Sequence, residues 1–185
     1  MRKNFGSKTY MYPMPVLIIG TYGEDGTPDA MNAAWGGISD YNQIALSLSE
    51  SHKTYKNILA RKAFTVSMAD VAHVAECDYV GMVSAKDVAD KFAKASFHAV
   101  KSSFVDAPVI EELPMTLECK LIKVNEDGLV LGEIVNVSAD ESILNADGKI
   151  DPSKFTPISF DPVNNNYLKV GEVCGKAFGE GKKIV

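Results

Sequence analysis

Two Asp-Gly turns constrain this chain more than any other feature. Gly23-Glu24-Asp25-Gly26 follows the apolar run Val16 to Tyr22, and Asn125-Glu126-Asp127-Gly128 separates Met115 to Val124 from Leu129 to Ser138. An Asp-Gly pair supplies the positive-φ positions that a tight turn between antiparallel strands needs, so both segments read as β-hairpins. The return strand of the first hairpin begins near Thr27 and runs into Asp29-Ala30-Met31-Asn32-Ala33-Ala34-Trp35-Gly36-Gly37.

Further strands follow from period-two patterning. In Gln43 to Ser49 the residues Ile44, Leu46 and Leu48 alternate with Ala45, Ser47 and Ser49, giving one apolar face and one face of small side chains. Phe64 to Met68 and Asn165 to Val170 read as shorter strands. In Met115 to Val124, Leu117, Cys119 and Leu121 face one way and Thr116, Glu118 and Lys120 the other. Helical spacing appears at Lys53 to Lys62, where Tyr55, Ile58 and Leu59 form a short stripe. Val71 to Cys77 reads as a short helix or turn. Ser84-Ala85-Lys86-Asp87 has the form of a capping box and predicts a helix to about Ala95, with Val88, Phe92 and Ala95 inward. Val100 to Pro108 and Leu144 to Pro162 read as loops. Six or seven strands, several in hairpins, favour a mainly β fold in which an antiparallel sheet closes into a barrel, rather than a βαβ array. At 185 residues, with no linker-like stretch, one domain over 1–185 is expected.

Composition narrows the function classes. The net charge of -5 argues against nucleic acid or an anionic membrane surface as a partner. No apolar stretch approaches the length of a membrane span, and the basic start before Val16-Leu17-Ile18-Ile19 is followed by too short an apolar run for a signal peptide. Cys77, Cys119 and Cys174 are scattered and odd in number, which fits reduced thiols in a cytoplasmic protein. No G-x-G-x-x-G, Walker loop, G-x-S-x-G or H-E-x-x-H occurs, and His52, His73 and His98 form no metal-ligand pattern. That absence shifts weight toward chemistry carried by a bound cofactor.

Two segments invite a ligand. The start of the Lys53 helix, with His52, Lys53 and Thr54, offers amides, a cation and a hydroxyl suited to a phosphate. The opposing reading is that Ser51 caps the helix and Lys53 faces water. Ser84 and Lys91 read from pattern alone as a cap and a solvated lysine. Trp35, the only tryptophan, stands among small residues that leave room beside it, and Asn32 is a poor strand former with both a donor and an acceptor to offer.

The chain resembles the flavin reductase-like proteins of the FMN-binding split-barrel fold, and within them the flavoredoxin-like branch. The resemblance rests on Pro13 to Gly37, Ile44 to Ile58, Phe64 to Ala69, Cys77 to Phe92, Ala107 to Leu121, Leu131 to Val137, Asp147 to Phe155 and Tyr167 to Lys182, in family order over nearly the whole chain. It implies a homodimer with FMN on the outside of a six-stranded barrel near the dimer interface. Asn32, Ala33, Ala34 and Trp35 would run past the isoalloxazine, and Ser47, Leu48 and Ser49 would lie beside the flavin and its ribityl chain. His52, Lys53 and Thr54 would meet the phosphate, supplemented by Ser84 and Lys91. The family's Asn-Ala-Met reads Asp29-Ala30-Met31 here, and a histidine common in relatives is Asp127. No catalytic side chain and no metal are implied, because transfer of a hydride to a flavin requires orientation rather than a protein acid or base. Asn32 is a candidate donor to the flavin's pyrimidine edge. The leading functional expectation is an FMN-dependent oxidoreductase taking electrons from NADH or NADPH. The alternatives are an FMN electron carrier serving a redox protein partner, and a flavin-free ligand-binding or structural dimer.

Overall fold

The structure is a computed structural model that describes residues 1–184. In chain order its elements are β1 (Met14–Pro15), β2 (Leu17–Tyr22), β3 (Pro28–Ala33), β4 (Gly36–Asp40), β5 (Gln43–Ser47), α1 (Lys53–Arg61), β6 (Ala63–Met68) and α2 (Val74–Met82). There follow α3 (Lys91–Lys94), β7 (Ala99–Lys101), β8 (Pro108–Ile110), β9 (Met115–Val124), β10 (Leu129–Ala139), α4 (Pro152–Phe155), β11 (Ile158–Asp161) and β12 (Asn166–Lys169). Single 3₁₀ turns stand at Glu141–Ile143 and Glu180–Lys183.

Seven strands form one antiparallel sheet in the order β3-β2-β6-β9-β10-β5-β4. Its two edge strands are consecutive in the chain, joined only by Ala34 and Trp35. Laid flat, such a sheet would be about 29 Å wide at the usual strand spacing. Three peptide steps from Ala33 to Gly36 reach at most about 11 Å. The sheet must therefore curl until its edges nearly meet, and the result is a split β-barrel. The split lies between β3 and β4, and the Ala34-Trp35 junction crosses it. The Trp35 carbonyl accepts a hydrogen bond from the Ser47 amide at 2.9 Å, which ties the junction to β5.

Both faces of β2 are buried, so its run of apolar residues does not alternate. Leu17 and Ile19 point into the barrel with Ile44, Leu46, Leu48, Phe64, Val66, Leu117, Cys119 and Val130. Ile18 points outward, into a second core with Ala30, Cys77, Val80, Phe92, Phe97, Ile110 and Ile158. Gly132 on β10 marks one tight place in the barrel: a Cβ there would overlap the Phe64 ring, with Cε1 only 2.9 Å away.

Helix α1 closes one end of the barrel. Tyr55 and Ile58 enter the barrel core, while Leu59 of the expected stripe is 36% exposed. Thr54 and Asn57, three apart and so on one helix face, meet a directly paired couple of the β2–β3 hairpin. Asn57 Nδ2 donates to Thr21 Oγ1 at 3.0 Å, Thr54 Oγ1 donates to Asp29 Oδ2 at 2.7 Å, and Thr21 stands opposite Asp29 in the ladder.

Several local expectations are corrected. The Ser84 capping box does not form: Ser84 Oγ accepts from the Lys86 amide at 3.2 Å, a turn two residues long, and helix begins only at Lys91. Such side-chain-to-backbone bonds compete with helix initiation. Phe92 and Ala95 are nonetheless inward. Helix α2 starts at Val74 rather than Val71, because Asp70 Oδ1 accepts from the His73 amide at 2.9 Å and holds the preceding residues in a turn. The segment Val100 to Pro108 is not only loop: β7 and β8 pair across it. Within Leu144 to Pro162, Asp151 and Pro152 open α4, and β11 pairs with β1 and β12.

Candidate functional site

Eight of the twelve sequence-predicted residues line two hollows, while Asn32, Ala33, Leu48 and Ser49 line neither. The first, of about 160 Å³, is lined by Met31, His52, Lys53, Thr54, the stretch from Val80 to Ala85, and Lys91. The second, of about 580 Å³ and mostly apolar, takes in Tyr10, Met11, Ala34, Trp35, Gly36, Ile38, Ala45 and Ser47 among others. Met31 of the first hollow and Ala34 of the second are three residues apart, so their Cα atoms lie within about 11 Å of each other.

The small hollow is polar because of how its walls end. One wall is the start of α1. His52 is its N-cap residue, and no side chain caps the first turn. Ser51 does not serve as a cap: its hydroxyl pairs with that of Ser49 at 2.8 Å. The first-turn amides of a helix lack intrahelical partners, and the aligned peptide dipoles make that end positive. The opposite wall is the connection between α2 and α3, with Ser84 half-buried beside Lys91. Lys86 Nζ bridges the walls by donating to the Ser51 carbonyl at 2.6 Å.

Lys91 is no solvated lysine; it is 4% exposed. Its ammonium donates to the carbonyls of Val80 at 3.4 Å and Val83 at 3.2 Å, and lies 3.2 Å from Asp29 Oδ1. Asp29 is 1% exposed. Its Oδ1 makes no aligned hydrogen bond, so the contact with Lys91 is an ion pair, while its Oδ2 holds the Thr54 hydroxyl. One buried carboxylate thus joins both walls of the hollow. Sequence reasoning missed Asp29; the available signal was the one charged residue of strand β3.

The other residues divide by environment. Trp35 is 52% exposed, flanked by half-buried Ala33 and Ala34, so it is a surface ring beside the apolar hollow and not a core anchor. Leu48 is buried in the barrel, whereas Ser47 and Ser49 face outward. Asn32 turns toward α2, where Nδ2 donates to the Cys77 carbonyl at 3.1 Å and to Tyr167 Oη at 3.3 Å. Both of its amide protons are therefore committed within the protein. Tyr167 in turn donates to Asp78 Oδ1 at 2.7 Å, and burial, aided by that carboxylate, pushes its phenol up to about 12. The thiols of Cys77 and Cys119 are raised by burial to about 12, while Cys174 is exposed; all three are free. Among the described residues no helix is long and apolar enough to cross a membrane. Among the described residues the one group of clustered metal-type ligands, His98 with Glu111 and Glu112, includes none of the predicted site residues.

The pattern of the flavin reductase like domain matches residues 9–154. A solved flavoredoxin of Desulfovibrio vulgaris (Miyazaki F) is 42% identical to this chain, covers 98% of it and 100% of its own length, and superposes with a TM-score of 0.95. A flavoredoxin from Methanosarcina acetivorans is 25% identical, with both chains covered completely and a TM-score of 0.89. An uncharacterized protein of Aquifex aeolicus is 27% identical over 180 residues, 92% of this chain and 87% of that one.

Proposed function

This chain belongs to the flavin reductase-like family, and from that premise we propose that it binds FMN and serves as an electron carrier of the flavoredoxin kind for a redox protein partner. The observation that carries the reading is the pairing of a polar hollow at an uncapped helix start with an apolar hollow beside Trp35, a phosphate-sized and a ring-sized space in reach of one ligand. The identity with the flavoredoxin from Desulfovibrio vulgaris, over nearly the full chain, supports it.

In this reading the phosphate lies at the start of α1, met by the amides there and by the side chains of His52 and Lys53, with the Thr54 hydroxyl held by Asp29 and Ser84 and Lys91 on the opposite wall. Ala33, Ala34 and Trp35 offer backbone and a ring face to the isoalloxazine, and Ser47 and Ser49 leave space for the ribityl chain beside Leu48. Asn32 holds the strand against α2 and acts on the flavin only through backbone position. Bound FMN supplies the redox chemistry, so the protein needs no acid or base of its own. The chain's residues bind and orient.

A second reading, an FMN-dependent oxidoreductase drawing on NADH or NADPH, is favoured by the exposure of Trp35 and the size of the open hollow, which leave room for a second planar ring. Mixing the yellow protein with each nucleotide without oxygen separates the two. A flavin that dithionite bleaches but neither nucleotide does supports the carrier; rapid bleaching by a nucleotide overturns it in favour of the oxidoreductase.

We also propose that the protein is a homodimer. Ile38 and Tyr41 on and after edge strand β4, with Val137 across the sheet, are exposed around an apolar hollow of about 640 Å³ that shares Gly37 and Ile38 with the one beside Trp35. An apolar surface of this kind, continuous with the candidate site, suits a second copy of the chain. Sedimentation of the purified protein as a monomer at micromolar concentration would exclude it.

A further inference from the structure

We propose that Asp29 is the resident counter-ion of Lys91 and sets how tightly the phosphate end of the flavin is held. The inference rests on the FMN reading above, and concerns a residue that lies behind the walls of the small hollow.

The lysine in that wall is already held from three sides. Two of the three N–H donors of its ammonium go to the Val80 and Val83 carbonyls, and the ammonium lies 3.2 Å from Asp29 Oδ1 in an ion pair without an aligned hydrogen bond. Its charge is cancelled by a carboxylate 3.2 Å away, with both groups almost wholly removed from water. A phosphate entering the hollow therefore meets a neutral pair on that side. Its attraction comes from the helix start, where Lys53 and the uncapped amides stand. Asp29 competes with the ligand for Lys91, and holds Thr54 in place through its other oxygen.

The substitution Asp29→Asn isolates the charge. Asparagine has the same shape, and with its amide suitably turned it offers Oδ1 to Lys91 and Nδ2 to Thr54 Oγ1, a hydroxyl that can accept. The walls keep their positions while Lys91 loses its counter-ion. A buried, uncompensated cation beside a phosphate is worth an order of magnitude or more in affinity, because charges interact strongly where water is excluded. Riboflavin has the same ring and ribityl chain without the phosphate, so a change in the ratio of FMN to riboflavin affinity between variants reads the phosphate end of the site alone.

The test measures both dissociation constants by flavin fluorescence for the wild type, Asp29→Asn, Lys91→Met and the double variant. Asp29→Asn should raise the ratio by about tenfold or more. The double variant should return it to the wild-type value, because the gain acts through Lys91. A ratio that Asp29→Asn leaves unchanged or lowers overturns the proposal, as does a gain that survives loss of Lys91. Should Asp29→Asn fail to fold, by circular dichroism, the double variant decides. It removes both members of the pair and leaves the local charge at zero, so the ratio should stay within about fivefold of the wild type. A larger fall would mean that Lys91 already acts as a free phosphate ligand, and would overturn the proposal. A wild type that binds neither flavin defeats the FMN reading itself, a result distinct from an unchanged ratio.

Discussion

Replacing Thr54 with valine removes one hydroxyl and almost nothing else. The two side chains have nearly the same shape, and Thr54 is 2% exposed, so no cavity opens. What is lost is the 2.7 Å bond to Asp29 Oδ2, in a place where Asp29 itself is 1% exposed. The carboxylate oxygen would then be buried with no partner, since water does not reach it. Hydrogen bonds to charged groups contribute about 1.5–3 kcal/mol, and a buried acceptor stripped of its donor costs a comparable amount. A destabilisation of about 2 kcal/mol at pH 7 is therefore expected. With a urea dependence of about 1–3 kcal/mol per molar for a domain of this size, the unfolding midpoint should fall by about 1 M. Thr54→Ser keeps the hydroxyl and deletes only a methyl, so it should stay closer to the wild type than the valine variant. If Thr54→Val leaves the midpoint unchanged while Thr54→Ser lowers it, the hydroxyl bond does not tie α1 to the β2–β3 hairpin and the reasoning fails.

Further outcomes follow from the same structure. Gly132→Ala should destabilise by about 1–2 kcal/mol, because its methyl must displace the buried Phe64 ring; trimming that ring with Phe64→Leu in the same chain should recover part of the loss, measurable in a double-mutant cycle. The Tyr12 hydroxyl donates to Asp161 and, with Asn164 beside it, holds that carboxyl down at about 2. A depressed carboxyl stabilises the fold above its unfolded value near 4 and loses that contribution as pH falls toward 2. Tyr12→Phe should therefore lower stability at neutral pH and flatten the stability profile between pH 4 and 2; a profile unchanged by the substitution would contradict it. Thiol labelling of the native protein at pH 8 should modify Cys174 rapidly and spare Cys77 and Cys119, whose burial keeps them protonated, and all three should react in denaturant.

Much of the barrel was legible in the sequence because its signals are local. Asp25-Gly26 and Asp127-Gly128 carry positive-φ glycines in their turns, and the β2–β3 and β9–β10 hairpins form around them. Ile44, Leu46 and Leu48 are all buried, as their alternation requires. What the sequence concealed depends on distant partners or on competing local bonds. Nothing in Ala33-Ala34-Trp35-Gly36 announces that a strand ends on one edge of the sheet and the next begins on the other. That break is imposed by closure of the whole barrel. β11 pairs with β1 across most of the chain, so no neighbouring residue predicts it. At Ser84 two local arrangements compete, and the short turn prevails over the capping box.

The site shows the same division. The start of α1 at Lys53 was legible from the helical spacing, whereas the partner of the Thr54 hydroxyl, Asp29, was not. Lys91 was not, because only the fold reveals that it is buried against Asp29 rather than solvated among Lys86 and Lys94. Asn32 was legible as unusual and misleading as to direction: strand alternation turns it to the face that meets α2, away from Met31, which lines the small hollow. Trp35, which among small neighbours could equally have been a core residue, stands at the surface beside a space.

The central claim is that this chain holds FMN across the two hollows at the barrel's split. It is tested most directly by stripping the purified protein of any bound flavin and titrating it with FMN while following flavin fluorescence. The account predicts saturation at one FMN per chain, with riboflavin bound more weakly because it lacks the phosphate that the start of α1 receives. Failure to take up FMN, or equal affinity for FMN and riboflavin, would contradict it.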